Sequence, residues 1–227
     1  MKVVILAGGR GSRLSEYTKK IPKPMVRVRG IPIIIHIMKI YAKFGYKDFI
    51  IAAGFKSKII KNYFKKKILD WKVKVVDTGL NSMTGGRVRR LKSILKNERF
   101  FLTYGDGVAN INLKKLLKFH IQCKSAVTLT AVRPPARFGA ITIKGKKVSI
   151  FREKFILDQG WINGGFFVVE PTIFKYLKND QVVLEKYPLT KLGKERKLYA
   201  FKHKNFWHCM DTIRDKEILE KKLKSIT

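Results

Sequence analysis

The sequence predicts an α/β protein built on a doubly wound, mainly parallel mixed sheet. Three observations lead there: β-branched apolar runs alternate with amphipathic segments, glycine bounds the runs, and the first run meets a glycine turn rich in cations. With 227 residues the chain can bury one substantial core, so a single domain over residues 1–227 is expected.

Lys2 to Ala7 reads as a buried parallel strand. Pro32 to Phe44 is apolar around nearly its full circumference, which predicts a buried helix with proline at its start and Gly45 at its end. Phe49 to Ala53 is a second strand, Ser57 to Phe64 a short helix and Val73 to Val76 a third strand. Arg87 to Leu95 reads as a helix entered through Gly85-Gly86, Phe100 to Tyr104 as a strand ending at Gly105-Asp106-Gly107, and Leu113 to Gln122 as the next helix. Strands then dominate: Val127 to Val132, Ala140 to Ile143, Val148 to Arg152 and Phe166 to Val169 are expected to extend the sheet and form the second side of a cleft. Thr212 to Leu223 is an amphipathic helix. Ligands of such sheets collect at the carboxyl ends of the strands, so the glycine turn and Asp106 are expected to face one another.

Fifty Lys+Arg against 16 Asp+Glu give a formal charge of +34. That balance suits a polyanion, but the lysines are dispersed (Lys56 to Lys67, Lys114 to Lys118, Lys216 to Lys224) with apolar residues at helical spacing. They read as solvated helix faces, and no dedicated nucleic-acid partner is expected. Cys123 and Cys209 lack metal-ligand spacing and suit a reducing compartment. The apolar stretch after Lys2 is too short for a secretory signal, and Ile31 to Phe44 carries His36, Lys39 and Lys43, against a membrane span. A cytoplasmic protein is expected.

The chemistry concentrates in Leu6-Ala7-Gly8-Gly9-Arg10-Gly11-Ser12-Arg13-Leu14, followed by Pro22-Lys23-Pro24. Gly8, Gly9 and Gly11 let backbone N–H groups approach anionic oxygens, while Arg10, Arg13 and Lys23 supply charge. The flanking prolines restrict the backbone around Lys23. A Walker loop would place Lys-Ser/Thr after Gly11, where Ser12-Arg13 stands, and a dinucleotide fingerprint would place glycine at Leu14. What remains is a triphosphate cradle or a ligand-free βα turn.

Gly-Gly-x-Gly-Ser-Arg-Leu with Pro-Lys-Pro resembles the signature of the sugar-phosphate nucleotidyltransferases. Asp77-Thr78-Gly79, Met83-Thr84-Gly85-Gly86-Arg87, Thr103-Tyr104-Gly105-Asp106-Gly107 and Trp207-His208-Cys209-Met210-Asp211-Thr212 resemble, in that order, the glucose-1-phosphate cytidylyltransferase branch over nearly the whole chain. The resemblance implies a Rossmann-like nucleotidyltransferase fold and Mg²⁺-dependent transfer of CMP from CTP to glucose 1-phosphate, at the head of dideoxyhexose synthesis for bacterial surface polysaccharide (lipopolysaccharide O-antigen). It implies Asp106 and Asp211 as metal ligands, and Arg13, Lys23 and Lys154 as catalytic cations. The nucleotide would contact Leu6, Ala7, Gly8, Gly9, Arg10, Gly11, Ser12, Arg13, Lys23, Ser82, Thr84, Gly85, Gly86, Arg87 and Gly105, with Arg87 reaching phosphate or base. The sugar phosphate would contact Glu153, Lys154, Asn163 and Gly164.

By residue type alone, Asp211 also reads as the N-cap of the last helix, Asp106 as a turn residue, Thr84 as a helix cap and Glu153-Lys154 as a surface ion pair. His36 and His208 are expected to be satisfied core residues, and Trp161, Trp207 and Phe166-Phe167 to form core or cleft wall. The chain departs from the family pattern twice: Phe155 stands where Pro usually follows Glu-Lys, and only Lys65 to Asp70 intervene where relatives carry a longer basic insertion before Trp71. The second departure bears on whether the chain forms a homo-oligomer.

In-line nucleotidyl transfer needs alignment and charge neutralisation. A phosphate monoester, with a second pKa of about 6, is already largely dianionic, so neither a covalent nucleophile nor a general base is required. Alternatives at this stage are a transferase for UTP, dTTP, GTP or another sugar phosphate, a silent sugar-nucleotide-binding subunit, and a basic nucleic-acid-binding protein.

Overall fold

The computed structural model describes residues 1–66, 70–134, 139–152 and 160–223. Eight strands of these residues make the main sheet: β1 (Val3–Ala7), β2 (Asp48–Ala53), β3 (Lys72–Asp77), β4 (Phe100–Tyr104), β5 (Val127–Val132), β6 (Ile162–Asn163), β7 (Phe167–Val169) and β8 (Leu198–Lys202). Their order is β8-β5-β7-β4-β1-β2-β3, with β6 lying along β5 in line with β7. The pairs β4–β1, β1–β2, β2–β3 and β5–β8 are parallel, and only β6 and β7 run antiparallel to their neighbours. The doubly wound, mainly parallel sheet expected from the sequence is therefore what forms.

Strand alternation explains why both faces are covered. Val3, Ile5 and Ala7 of β1 pack on one face with Ile33, Ile37 and Tyr41 of α1 (Ile33–Ala42) and Ile60 of α2 (Ser57–Lys66). Val4 and Leu6 face the other way, towards Val88 of α3 (Thr84–Arg90), Leu95, and Leu189 and Leu192 of a later helix. A strand buried on both faces must be apolar at every position, which is the unbroken run seen in the sequence. Leu113 and Leu116 of α4 (Leu113–Gln122) join the first face; the second closes with α5 (Tyr187–Lys194), and α6 (Ile213–Lys222) returns Leu219 to the first. No helix of the described residues is long and apolar enough to cross a membrane.

Three expectations change. Gly85 and Gly86 lie inside α3, which breaks at Leu91 before a short helix over Lys92–Leu95, so they are not an entry to a helix over Arg87 to Leu95. The reason is packing: a Cβ on Gly86 would stand 2.1 Å from the Asp180 carbonyl oxygen. Gly86→Ala should therefore destabilise the fold by about 1–3 kcal/mol, as overpacking does. A thermal melt superimposable on the wild type would show that the segment around Asp180 yields without cost. Next, among the described residues Ala140–Lys144 and Lys147–Arg152 pair only with each other, as a hairpin with both strands largely exposed, and do not extend the sheet. Finally, α5, β8 and a 3-10 turn over Pro171–Tyr176 occupy a stretch where the sequence reading placed no element.

Candidate active site

A cleft of about 310 Å³ opens at the carboxyl ends of β1 and β4. Its walls are the first glycine turn, Ser82 to Thr84 at the start of α3, and Tyr104 to Asp106. Gly11 takes φ +65° there, and a Cβ would press on Lys23 Cβ and Thr18 Cγ2 at 3.0 Å, so only glycine lets the turn close over Lys23. Lys23 itself begins a 3-10 turn, Lys23–Met25, with Pro24 buried behind it.

The two aspartates meet through a three-residue ladder. Trp207–Cys209 pairs antiparallel with Gly107–Ala109, Cys209 opposite Gly107, and the Met210 N–H donates to the Asp106 carbonyl at 2.9 Å. Residues just before Gly107 and just after Cys209 are thereby neighbours. Lys23 Nζ stands between them, donating to Asp106 Oδ2 at 2.6 Å and Asp211 Oδ1 at 2.7 Å, while Arg13 Nη1 donates to Asp211 Oδ2 at 2.8 Å. Burial pulls the Lys23 pKa down, but Asp106 and Asp211 outweigh it and hold the ammonium above its ordinary value.

Asp211 is not a helix cap. Thr212 caps α6 in a capping box with Asp215, whose Oδ2 accepts from the Asp211 and Thr212 N–H groups and whose Oδ1 bonds His208 Nε2 at 3.1 Å. This leaves the Asp211 carboxylate to pair with Lys23 and Arg13, both of which line the cleft. His208 and His36, the latter bonded to the Val28 carbonyl at 3.0 Å, are satisfied core residues as expected. Phe166 and Phe167 are fully buried, and the indole N–H of Trp207 donates to the Gly164 carbonyl at 2.8 Å.

Asp106, Asp211 and Cys209 each bring one ligand atom within 4.8 Å of the others. Two carboxylates around one part-buried positive charge fit a divalent ion that favours oxygen ligands. The Cys209 thiol fits less well, because soft sulfur is a poor ligand for a hard ion; with no ion bound, burial and then the charge of Asp106 push its pKa up.

Arg87 borders the cleft with its guanidinium turned to acceptors of the protein itself. Its buried guanidinium donates through Nη2 to the Gly8 and Leu80 carbonyls at 2.9 and 3.3 Å, and through Nη1 to the Gly79 carbonyl, Thr78 Oγ1 and the Ala53 carbonyl at 2.7, 2.9 and 3.3 Å. It lines the cleft but spends these donors on backbone and hydroxyl, clamping the glycine turn to the ends of β2 and β3. Burial lowers its pKa.

Other expected residues divide. Leu6, Ala7, Gly8, Gly9, Gly11, Arg13, Lys23, Ser82, Thr84 and Gly105 line the cleft. Arg10 stacks near Phe55 with its guanidinium 6.0 Å from the ring, Ser12 is exposed, and Gly85 and Gly86 face Val182 and Asp180. Asn163 reaches the cleft wall by donating from Nδ2 to Tyr104 Oη at 3.0 Å, and Gly164 sits against Val132 in the segment between β6 and β7. Glu153, Lys154 and Phe155 lie outside the described residues, as do 67–69 of the shortened segment. Tyr104, Pro24 and Met83, also on the cleft, were missed; an aromatic before Gly-Asp carries no local signal of facing a ligand.

A sequence model of the nucleotidyl transferase family matches residues 2–213. The chain belongs to the nucleotidyl transferase family. This transferase is 45% identical to the glucose-1-phosphate cytidylyltransferase of Salmonella typhimurium, over 97% of this chain and 95% of that protein. It is 39% identical to the probable glucose-1-phosphate cytidylyltransferase of Bacillus subtilis, over 95% and 93% of the two chains. Among solved structures, HddC from Yersinia pseudotuberculosis complexed with GMP-PN superposes on the transferase with a TM-score of 0.75 at 25% identity, covering 98% of this chain and 99% of that one.

Proposed function

We propose that this nucleotidyltransferase moves CMP from CTP to α-D-glucose 1-phosphate, releasing pyrophosphate and CDP-glucose, in the cytoplasm and for bacterial surface-polysaccharide sugar synthesis. The observation that carries the reading is the 45% identity to the Salmonella enzyme along nearly the full length of both chains. The glycine turn would take the triphosphate, and Ser82 with Thr84 the nucleoside. Asn163 and Gly164, with Glu153 and Lys154, would take the sugar phosphate.

Asp106 and Asp211 would hold Mg²⁺, which when bound neutralises charge on the reacting phosphates. Arg13 and Lys23 would donate to phosphate oxygens once they release Asp211 and Asp106. The dianionic sugar phosphate attacks the α-phosphorus unassisted by a base, and alignment in the cleft supplies the rest.

Pyrophosphate release from CTP, UTP, dTTP and GTP with glucose 1-phosphate, with and without Mg²⁺, tests this. CTP should dominate and chelation should abolish release. Turnover of UTP, dTTP or GTP in preference to CTP would overturn the cytidylyl assignment, and metal-independent turnover would remove the ion.

A further inference from the structure

Glu185 stands behind the cleft and outside its lining, yet it joins the two halves of the wall. Its Oε2 accepts from Thr84 Oγ1 at 2.6 Å and its Oε1 accepts from Tyr104 Oη at 2.6 Å. Thr84 Oγ1 in turn accepts the Leu184 N–H at 2.9 Å. Tyr104 Oη accepts from Asn163 Nδ2 at 3.0 Å, and Asn163 Oδ1 accepts the Gly165 N–H at 3.0 Å.

Each end of this chain is a backbone N–H, which can only donate. The Gly165 N–H fixes which side of the Asn163 amide is oxygen, so Nδ2 must face Tyr104. Tyr104 Oη then receives that hydrogen and its single proton must leave towards Glu185. From the other end, Leu184 forces the Thr84 proton to the same carboxylate. The two directions are compatible only because residue 185 accepts at both oxygens. Asn163 is left with one N–H and one oxygen lone pair, a donor beside an acceptor, which matches two adjacent sugar hydroxyls.

We propose that Glu185 is a positioning residue which, through Tyr104, holds the Asn163 amide in the orientation that the Gly165 N–H selects, for the sugar phosphate, and, independently, holds the Thr84 hydroxyl on the nucleotide side. The inference rests on the reading that Thr84 borders the nucleotide and Asn163 the sugar phosphate. Glutamine at 185 has the same shape but one acceptor and one NH₂ group. It would confront either Thr84 or Tyr104 with a second donor, and an Asn163 flip would only move the conflict to the Gly165 N–H.

The test is a comparison of KM values for both substrates in Tyr104→Phe, Thr84→Val and Glu185→Gln, measured with whichever nucleotide and sugar phosphate the wild type turns over. Tyr104→Phe keeps the ring edge-on to Phe167 at 5.8 Å, so its fold is retained. Its sugar-phosphate KM should rise about tenfold, the worth of about one hydrogen bond, against less than about twofold for the nucleotide. Thr84→Val should show the reverse split and Glu185→Gln should raise both. A general loss of packing would move both constants together in every variant, and that outcome, or an unchanged sugar-phosphate KM in Tyr104→Phe, overturns the proposal. Should Glu185→Gln fail to fold, the opposite splits of the other two variants decide it. A different preferred substrate pair in the wild type would revise the cytidylyl reading while leaving this test intact.

Discussion

Asp106→Asn is expected to lower kcat by about three orders of magnitude, a barrier increase of about 4 kcal/mol, while the protein remains folded. The carboxylate sits between the end of β4 and the Gly107–Ala109 ladder, and its Oδ2 takes one of the two anionic contacts of Lys23. Asparagine preserves the volume and one carbonyl oxygen but removes the charge that attracts a divalent ion and that holds Lys23 in place. The stability change should be about 1 kcal/mol or less, because the ion pair is partly solvated and Lys23 keeps Asp211 as a partner. Circular dichroism and a melting curve would check the fold, and steady-state pyrophosphate release the rate. A variant with kcat near that of the wild type would exclude Asp106 from the metal-binding pair.

Arg87→Met should act in the opposite way, through stability first. Methionine fills much of the same volume without a donor, so the half-buried Gly79 carbonyl loses its guanidinium partner, while Leu80 is exposed and its carbonyl can turn to water. Ala53 still receives the Thr78 N–H, and Gly8 still receives the Phe55 N–H. With one half-buried carbonyl left unpaired, unfolding free energy should fall by about 1–3 kcal/mol, and Tm by about 2–12 °C. Nucleotide affinity should weaken as a consequence, since the turn that carries Gly8 is no longer tied to β2 and β3. Arg87→Lys restores charge but offers one ammonium to five acceptors, so it should recover only part of the stability. Unchanged melting together with a selective loss of CTP binding would instead make Arg87 a direct ligand, as the sequence reading had it.

The contrast between these residues shows where sequence reasoning reaches. Asp106 is legible because it follows an apolar run directly and stands in a glycine turn, so its location at a strand end follows from local pattern alone. Arg87 is equally visible as a cation near glycines, but whether its donors meet phosphate or peptide carbonyls depends on three separate loops converging on it. Gly85 and Gly86 mislead for the same reason: they read as the entry to a helix that starts at Arg87, whereas they lie inside it and the close approach of Asp180 and Val182 requires them. Tyr104 stands in a motif that carries the resemblance, but neither its link to Asn163 nor Glu185 itself is marked in the sequence, because a polar network is defined by distances between elements rather than by spacing along one.

The sequence by itself determined that β1, β2, β4 and α1 exist, that the sheet is doubly wound, and that a cation-rich glycine turn closes the first strand. These are local properties, set by side-chain periodicity and by the backbone freedom of glycine. Tertiary structure alone decided that Asp211 joins Asp106 around Lys23, because a ladder of three residues on each side is too short to register as periodicity and draws its stability from what surrounds it. It also decided that Thr212, and not Asp211, caps the last helix: both residue types are good caps, and only the position of Asp215 beneath the first turn separates them.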